Sequence, residues 1–343
     1  MYVNKNFSLS SVLRFSGVHI IWLTAWAAFM TAIYEYTPFF WSIPWLPLSV
    51  IGTAVAFYVG FKNNSAYDRL WEARKIWGAI VNSSRSWATN IRAYISSVFS
   101  ESTEKEKNEW KKRLIYRHIA WLYTLRNQLL IPTQWEHINI GKHVSRVTKQ
   151  RMKRWGVGLH ADGGFTSDEL KKFLPANEYN RLINYQNTAT QIIDKQSQDL
   201  LILRKKNLID DFRHMELQKI LNDFYTFQGQ CERIKKFPLP RQYASMSFIF
   251  IGVFIFLLPF GMISEFAKLG EFGSWLSVPF TVLIGWVYLM MELVGDYSEN
   301  PFEGLGNDIP MLSLCRTIEI DLLEMLGEQD IPATIEVKNG VLM

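Results

Sequence analysis

The sequence predicts an all-α membrane protein: four membrane-crossing helices and a large helical cytoplasmic domain. Three observations lead there. First, four stretches of the 343-residue chain contain no Asp, Glu, Lys or Arg: Phe15 to Tyr34 (20 residues), Tyr36 to Phe61 (26), Gln242 to Ser264 (23) and Phe272 to Met291 (20). About 20 mostly apolar residues cross a ~30 Å hydrocarbon layer. Second, the basic residues are gathered between the second and third stretches. Lys62 to Arg241 holds 32 Lys and Arg against 18 Asp and Glu, an excess of +14, while the loops around Glu35 and from Glu265 to Glu271 hold only Lys268. Third, strand-type alternation is scarce, and apolar residues outside the four stretches recur at helical spacing. The bulk composition, 48% apolar with 20% charged and a net charge of +5, conceals this segregation. It still excludes a disordered chain, a collagen and a small disulfide scaffold.

The elements follow in order. Residues 1–61 are a short N-terminal segment and a transmembrane hairpin, with spans at about 16–34 and 44–61 joined by Glu35-Tyr36-Thr37-Pro38. The first span is longer than a signal-peptide core, which argues against cleavage. Pro44 and Pro47 stand at the entrance of the second span, so its helix proper is expected from about Leu48. Nothing stops that helix at Phe61, and the text to Phe99 predicts one long helix continuing into a cytoplasmic body. Residues 62–241 form that body: a charged break at Glu101 to Lys107, a helix over Asn108 to Leu130, an irregular stretch over 132–165, a helix start at Thr166-Ser167-Asp168-Glu169, and a helical pattern from Pro175 to Arg233. Lys235 to Pro240 reads as a hinge. Residues 242–294 are the second hairpin (spans about 243–264 and 273–293), and 295–343 a cytoplasmic C-terminal segment. Basic residues stay on the cytoplasmic side. Arg14, Lys62 and the group Arg233, Lys235, Lys236 and Arg241 therefore place both termini and the body there.

Motifs for catalysis are missing. The six histidines (His19, His118, His137, His143, His160, His214) form no HExxH, and there is no GxxxxGK phosphate loop and no GxSxG. No enzyme, no cofactor and no metal centre is expected. Cys231 and Cys315 fall on the cytoplasmic side and read as reduced, unreactive thiols. The basic block between spans is explained by topology, so no nucleic-acid partner is expected either.

The second span is the informative one. Gly52, Ala56 and Gly60 recur at i, i+4 and i+8, a stripe of small residues that lets helices approach closely. About 100° round the helix lie Thr53, Phe57 and Phe61, also one turn apart. Copies of this helix around an axis would stack those side chains into three rings. An apolar ring narrows a water path and gates it by dewetting. Phenyl edges, which carry partial positive charge, would tolerate an anion without a fixed cation. The alternative is that the phenyl groups pack between helices.

At these residues the sequence resembles the bestrophin family of ion channels, in its bacterial branch. Gly60 to Trp77, GFKNNSAYDRLWEARKIW, is similar to the stretch after the family's pore helix, with Leu70 where a tryptophan is usual. Phe256-Leu257-Leu258-Pro259-Phe260, Asn300-Pro301-Phe302, Asn307-Asp308-Ile309-Pro310 and Leu314-Cys315-Arg316-Thr317-Ile318-Glu319 follow in the family's order. The resemblance implies a bestrophin-like homopentamer in a bacterial inner membrane, with a single pore, a neck at Thr53, Phe57 and Phe61, and chloride as the permeant ion. Thr53 replaces a usual aliphatic residue, and its hydroxyl is expected to wet the outer ring. Rough alignment puts a lower cytoplasmic constriction near Ile193. Animal members carry a calcium clasp after the fourth span. Asn300 and Asp308 match two of its positions, but Tyr297 and Leu305 stand where an amide and a carboxylate are needed, and Ca²⁺ takes 6–8 oxygens. Calcium binding is therefore not expected, and Asn300 and Asp308 read as helix-capping or bridging residues. Membrane lipid and the chain itself are the remaining partners. Two other readings stay open: the same architecture passing monovalent cations, and a non-conducting scaffold whose basic body binds a cytoplasmic partner.

Overall fold

The computed structural model describes residues 1–38, 42–98, 101–155, 157–158, 170–182 and 184–343, without the side chains of Arg14 and Trp155. Among the described residues the structure is helical apart from isolated bridges at Tyr2, Lys338 and Val341. The helices are α1 (Leu9–Tyr36), α2 (Trp45–Tyr94), α3 (Glu104–Leu129), α4 (Lys142–Trp155), α5 (Ala176–Leu182), α6 (Thr188–Lys205), α7 (Asp211–Lys236), α8 (Arg241–Ala267), α9 (Gly273–Asp296) and α10 (Met311–Leu326). The chain divides into two compact units. Asn4–Arg69 with Pro238–Asn300 forms a membrane unit. Met1–Val3, Leu70–Phe237 and Pro301–Met343 form a helical body. α2 is one helix of 50 residues and contributes to both.

The membrane unit holds the four helical stretches that are long and apolar enough to span a bilayer. Its core is Leu23 of α1, Leu48, Val55 and Val59 of α2, Ile251, Phe254, Ile255, Leu258 and Met262 of α8, and Leu289 of α9. Glycines set how closely these helices meet. A Cβ on Gly285 would stand 3.0 Å from Leu23 Cδ2, and one on Gly261 2.6 Å from Leu48 Cδ2. The outward faces stay apolar: Val18, Ile21, Phe248 and Leu283 are exposed. Such a surface is stable against hydrocarbon, where backbone groups must be satisfied within the helix. The second span begins at Trp45, earlier than expected, because Pro47 falls within the first turn, where no backbone donor is required. This compact unit extends along α2 to Arg69, because Lys62, Asn63 and Arg69 bond to residues at or just after the end of α9.

The body departs from the expected pattern in three places. The charged break expected at Glu101 to Lys107 is present over Glu101 to Thr103, but Glu104 to Lys107 already form a helix start. Thr103 Oγ1 accepts the Glu106 N–H at 3.2 Å, and Glu104 and Glu106 occupy the first turn, where acidic residues complement the helix dipole. The stretch over 132–165 was expected to be irregular but contains α4. Val144, Thr148 and Met152 recur at i, i+4 and i+8 and turn inward, and Thr148 and Met152 are fully covered. The run from Pro175 to Arg233 is three helices. Asn207, at φ 54°, ends α6, and Asp210 caps α7 by accepting the Arg213 N–H at 2.8 Å. Asn is the commonest residue after glycine for such a left-handed stop. The helix start expected at Thr166 to Glu169 lies outside the described residues.

The body core centres on Trp87, Trp121, Phe224 and His118, all fully buried. His118 stacks on Trp121 at 5.2 Å, and its Nε2 meets Ser84 Oγ at 2.8 Å. Burial pushes its pKa down to about 3, so the ring is neutral in the fold. The unfolded chain binds that proton near pH 6.5. The contribution of His118 is therefore complete above about pH 6.5 and is lost as the pH falls, at up to about 1.4 kcal/mol per unit. Unfolding midpoints of purified protein should drop through this window, and His118→Gln should flatten the drop. Beside this cluster, Arg117 donates two hydrogen bonds to the Glu178 carboxylate (2.7 Å each) and also meets Asp199, which Arg113 approaches at 2.8 Å.

Candidate functional site: the outer face of the second span

The apolar half of α2 has two sides. Leu48, Gly52, Val55, Val59, Lys62 and Ala66 form a buried stripe at three- and four-residue spacing. A residue two positions away lies about 200° round the helix. That places Thr53, Phe57 and Phe61 opposite the stripe, and all three are exposed, Phe57 at 66% and Phe61 at 69%. The three side chains thus share one open face, one turn apart. None carries a charge. The Thr53 hydroxyl donates to the Ser49 carbonyl at 2.9 Å, so its donor is spent within the helix. Its oxygen keeps acceptor lone pairs for water.

The small-residue stripe divides. Gly52 is buried within its own chain. A Cβ there would stand 2.9 Å from the Phe254 ring, and the Tyr288 hydroxyl donates to the Gly52 carbonyl at 2.9 Å. Gly60 is exposed with nothing within 4 Å of an added Cβ, and Ala56 is half-buried.

A polar node sits directly after Phe61. The Lys62 ammonium pairs with Glu292 of α9, with side-chain exposures of 1% and 7%. Ser247 of α8 donates its hydroxyl to the other carboxylate oxygen. The neighbouring Asn63 donates to the Met291 carbonyl at 2.8 Å. Two consecutive residues of α2 are thereby tied to α9, which fixes the rotation of α2 about its axis and keeps the Lys62 charge off the open face. Sequence reading passed over this node because charge served there only to end the spans. The signal was present: Lys62 and Glu292 each follow directly on a charge-free run, and opposite charges at two such ends suit each other.

The other predicted residues lie elsewhere. Ile193 is fully buried in the core of the body, so the constriction expected near it is corrected: a side chain with no free surface in its own subunit cannot line a path for ions. Asp308 is buried in the body. Its carboxylate accepts the backbone N–H groups of Phe302 (3.1 Å), Gly304 (2.8 Å) and Ile309 (2.7 Å). Burial pushes its pKa up, against the pull of those three donors. Asn300 is nearly covered in the membrane unit. Among the described residues no three His, Cys, Asp or Glu side chains converge as a metal site. Cys231 and Cys315 are fully buried, and burial raises both thiol pKa values, Cys315 to about 12.

Known proteins resemble this chain in sequence and in fold. The chain is 26% identical over 289 residues to the "Voltage-dependent anion channel-forming protein YneE" of Escherichia coli K12, covering 84% of this chain and 79% of the relative. It is 25% identical over 309 residues to the "Voltage-dependent anion channel-forming protein mll4386" of Mesorhizobium japonicum, covering 90% and 81%. A solved bacterial bestrophin homologue from Klebsiella pneumoniae superposes with a TM-score of 0.71 at 21% identity, over 92% of this chain and 99% of that one. Residues 7–324 match the family described as "Bacterial/Fungal Bestrophin protein": the chain belongs to the bestrophin family, whose members are membrane ion channels and not enzymes.

Proposed function

We propose that the chain assembles as a homopentamer in a bacterial inner membrane and conducts anions passively, chloride foremost, through a central pore. Thr53, Phe57 and Phe61 line its neck, Gly60 and Ala56 admit the neighbouring copy, and both termini face the cytoplasm. The observation that carries this reading is the open face of α2. Two phenyl groups one turn apart stand exposed, while the opposite side of the same helix is fully packed. The names of the E. coli and M. japonicum relatives support anion conduction. So does the excess of 32 Lys and Arg over 18 Asp and Glu in Lys62 to Arg241, since a field of one sign concentrates counter-ions. The neck itself is uncharged because Lys62 is held by Glu292, so phenyl edges must do the local work.

Planar-bilayer recording of purified protein under an asymmetric KCl gradient tests this. The reversal potential is expected near the chloride equilibrium potential. A reversal near that of potassium assigns the pore to cations, and no current with a captured cytoplasmic protein would favour the scaffold.

A further inference from the structure

One surface of the body carries cations that no carboxylate of the chain answers. From His137 to Ala161 the sequence has no Asp or Glu but six Lys and Arg, all within α4. Lys142, Arg146, Lys149 and Lys153 recur at i, i+4, i+7 and i+11, so they share one face of the helix in a row about 16 Å long. All four are exposed, and none pairs with a carboxylate among the described residues. Exposed cations elsewhere on the body do pair: Arg85 with Asp321, Lys112 with Glu328, Lys206 with Glu106 and Arg233 with Glu72. Topology does not require the row. The positive-inside bias acts within about 15–20 residues of a span, and α4 lies more than 80 residues from Phe61 and from Gln242.

The inward side of α4 is already in use, since Val144, Thr148 and Met152 turn toward the body. Only the charged side is on offer. That side suits a plane of negative charges better than one bound molecule. Three of the four residues are lysines, point charges on flexible stems, and not the planar forks that grip a single carboxylate or phosphate. No Phe, Tyr or Trp stands between Lys142 and Lys153, so a nucleic-acid base finds no ring to stack on. Chain length alone also ties α4 to the spans. The Arg154 carbonyl accepts Asn339 Nδ2 at 3.2 Å. The adjoining Gly340 carbonyl accepts the Val3 N–H at 2.9 Å, six residues before α1 begins at Leu9. Past Arg154, Gly158 packs on Gly304, which follows the end of α9 at Asp296 by eight residues. Fully extended, eight residues reach about 28 Å at most.

We propose that the outward face of α4 docks on the anionic phospholipid headgroups of the surrounding bilayer. The attraction is electrostatic and needs no insertion of apolar side chains. A leaflet of negative charge attracts basic residues over about one Debye length, roughly 8 Å at physiological ionic strength. The contact makes the body responsive to the lipid composition of the membrane. It uses no residue of the neck, and it holds whether the pore passes anions or cations, so the channel reading and this one stand or fall separately.

A fluorophore on α4 tests it. Gln150 is exposed beside the row, and Cys231 and Cys315 are fully buried, so a thiol-reactive label on Gln150→Cys marks this helix alone. The full chain is reconstituted in nanodiscs of phosphatidylcholine, with or without phosphatidylglycerol, each holding the same trace of lipid spin-labelled at the headgroup. Quenching should be severalfold stronger with phosphatidylglycerol. It should fall back at about 1 M salt, where the Debye length is about 3 Å. Combining Lys142→Gln, Arg146→Gln, Lys149→Gln and Lys153→Gln should abolish the difference between the two discs, while Arg146→Lys alone should keep it. Equal quenching of the labelled parent in both discs overturns the proposal, as does a phosphatidylglycerol response that survives the fourfold variant. Polyglutamate or an RNA oligonucleotide that shields the label where phosphatidylglycerol does not would assign the face to a macromolecule instead. The four side chains are exposed, so the fourfold variant should melt with the parent. If it fails to fold, the salt titration of the parent decides: a response that salt leaves unchanged overturns the proposal.

Discussion

Glu292→Leu is expected to cost about 3–5 kcal/mol of stability, the usual range when one partner of a buried ion pair is removed. The reason lies in what remains. Lys62 is 2% exposed, and its ammonium would be left without its partner in a site built for a carboxylate. Ser247 would lose the acceptor of its hydroxyl as well. Salt should offer little relief, since a buried pair is poorly screened. The double variant Lys62→Met with Glu292→Leu should recover most of the loss, because replacing a whole buried pair by apolar side chains is often neutral. Thermal unfolding of the purified protein in detergent checks both. A single variant as stable as wild type would show that the pair does not hold α2.

The second large effect concerns Phe57. In the proposed assembly one substitution acts in every copy, so Phe57→Ala removes a whole ring of phenyl groups at one level of the neck. The constriction there is hydrophobic and gates by excluding water. Widening it should raise the unitary current severalfold rather than by a few per cent. Stability should change little. Phe57 is 66% exposed within its subunit, and its truncation leaves no cavity in the core of Leu48, Val55, Val59 and Phe254. Its separation from that core distinguishes this prediction from the first: Glu292 holds the helix, and Phe57 lines what the helix faces.

Much of this was legible in the sequence. Charge-free runs mark the four spans because no Lys or Glu can be afforded at mid-bilayer without a partner. The face of Thr53, Phe57 and Phe61 follows from helical period alone, and the structure places that face outward. Other features were not legible. α4 hides in a basic stretch because its inward face is only Val144, Thr148 and Met152, too few to stand out. Thr103 to Glu106 reads as part of a break because its charge stands out, yet Thr followed three residues later by Glu is a capping signal. Gly52 and Gly60 look alike in the text, yet one is packed beneath Phe254 and the other is open, a difference set by neighbours distant in sequence. Ile193 was placed by alignment, and its burial shows how little a register carried across diverged sequence can fix.

The central claim is that the open face of α2 borders the path of the ions. The unitary current of Phe57→Ala tests it most directly, recorded beside wild type and beside Val253→Ala, a substitution on the exposed face of α8. The account predicts a larger current for Phe57→Ala and an unchanged one for Val253→Ala. A Phe57→Ala channel with the wild-type current would contradict it.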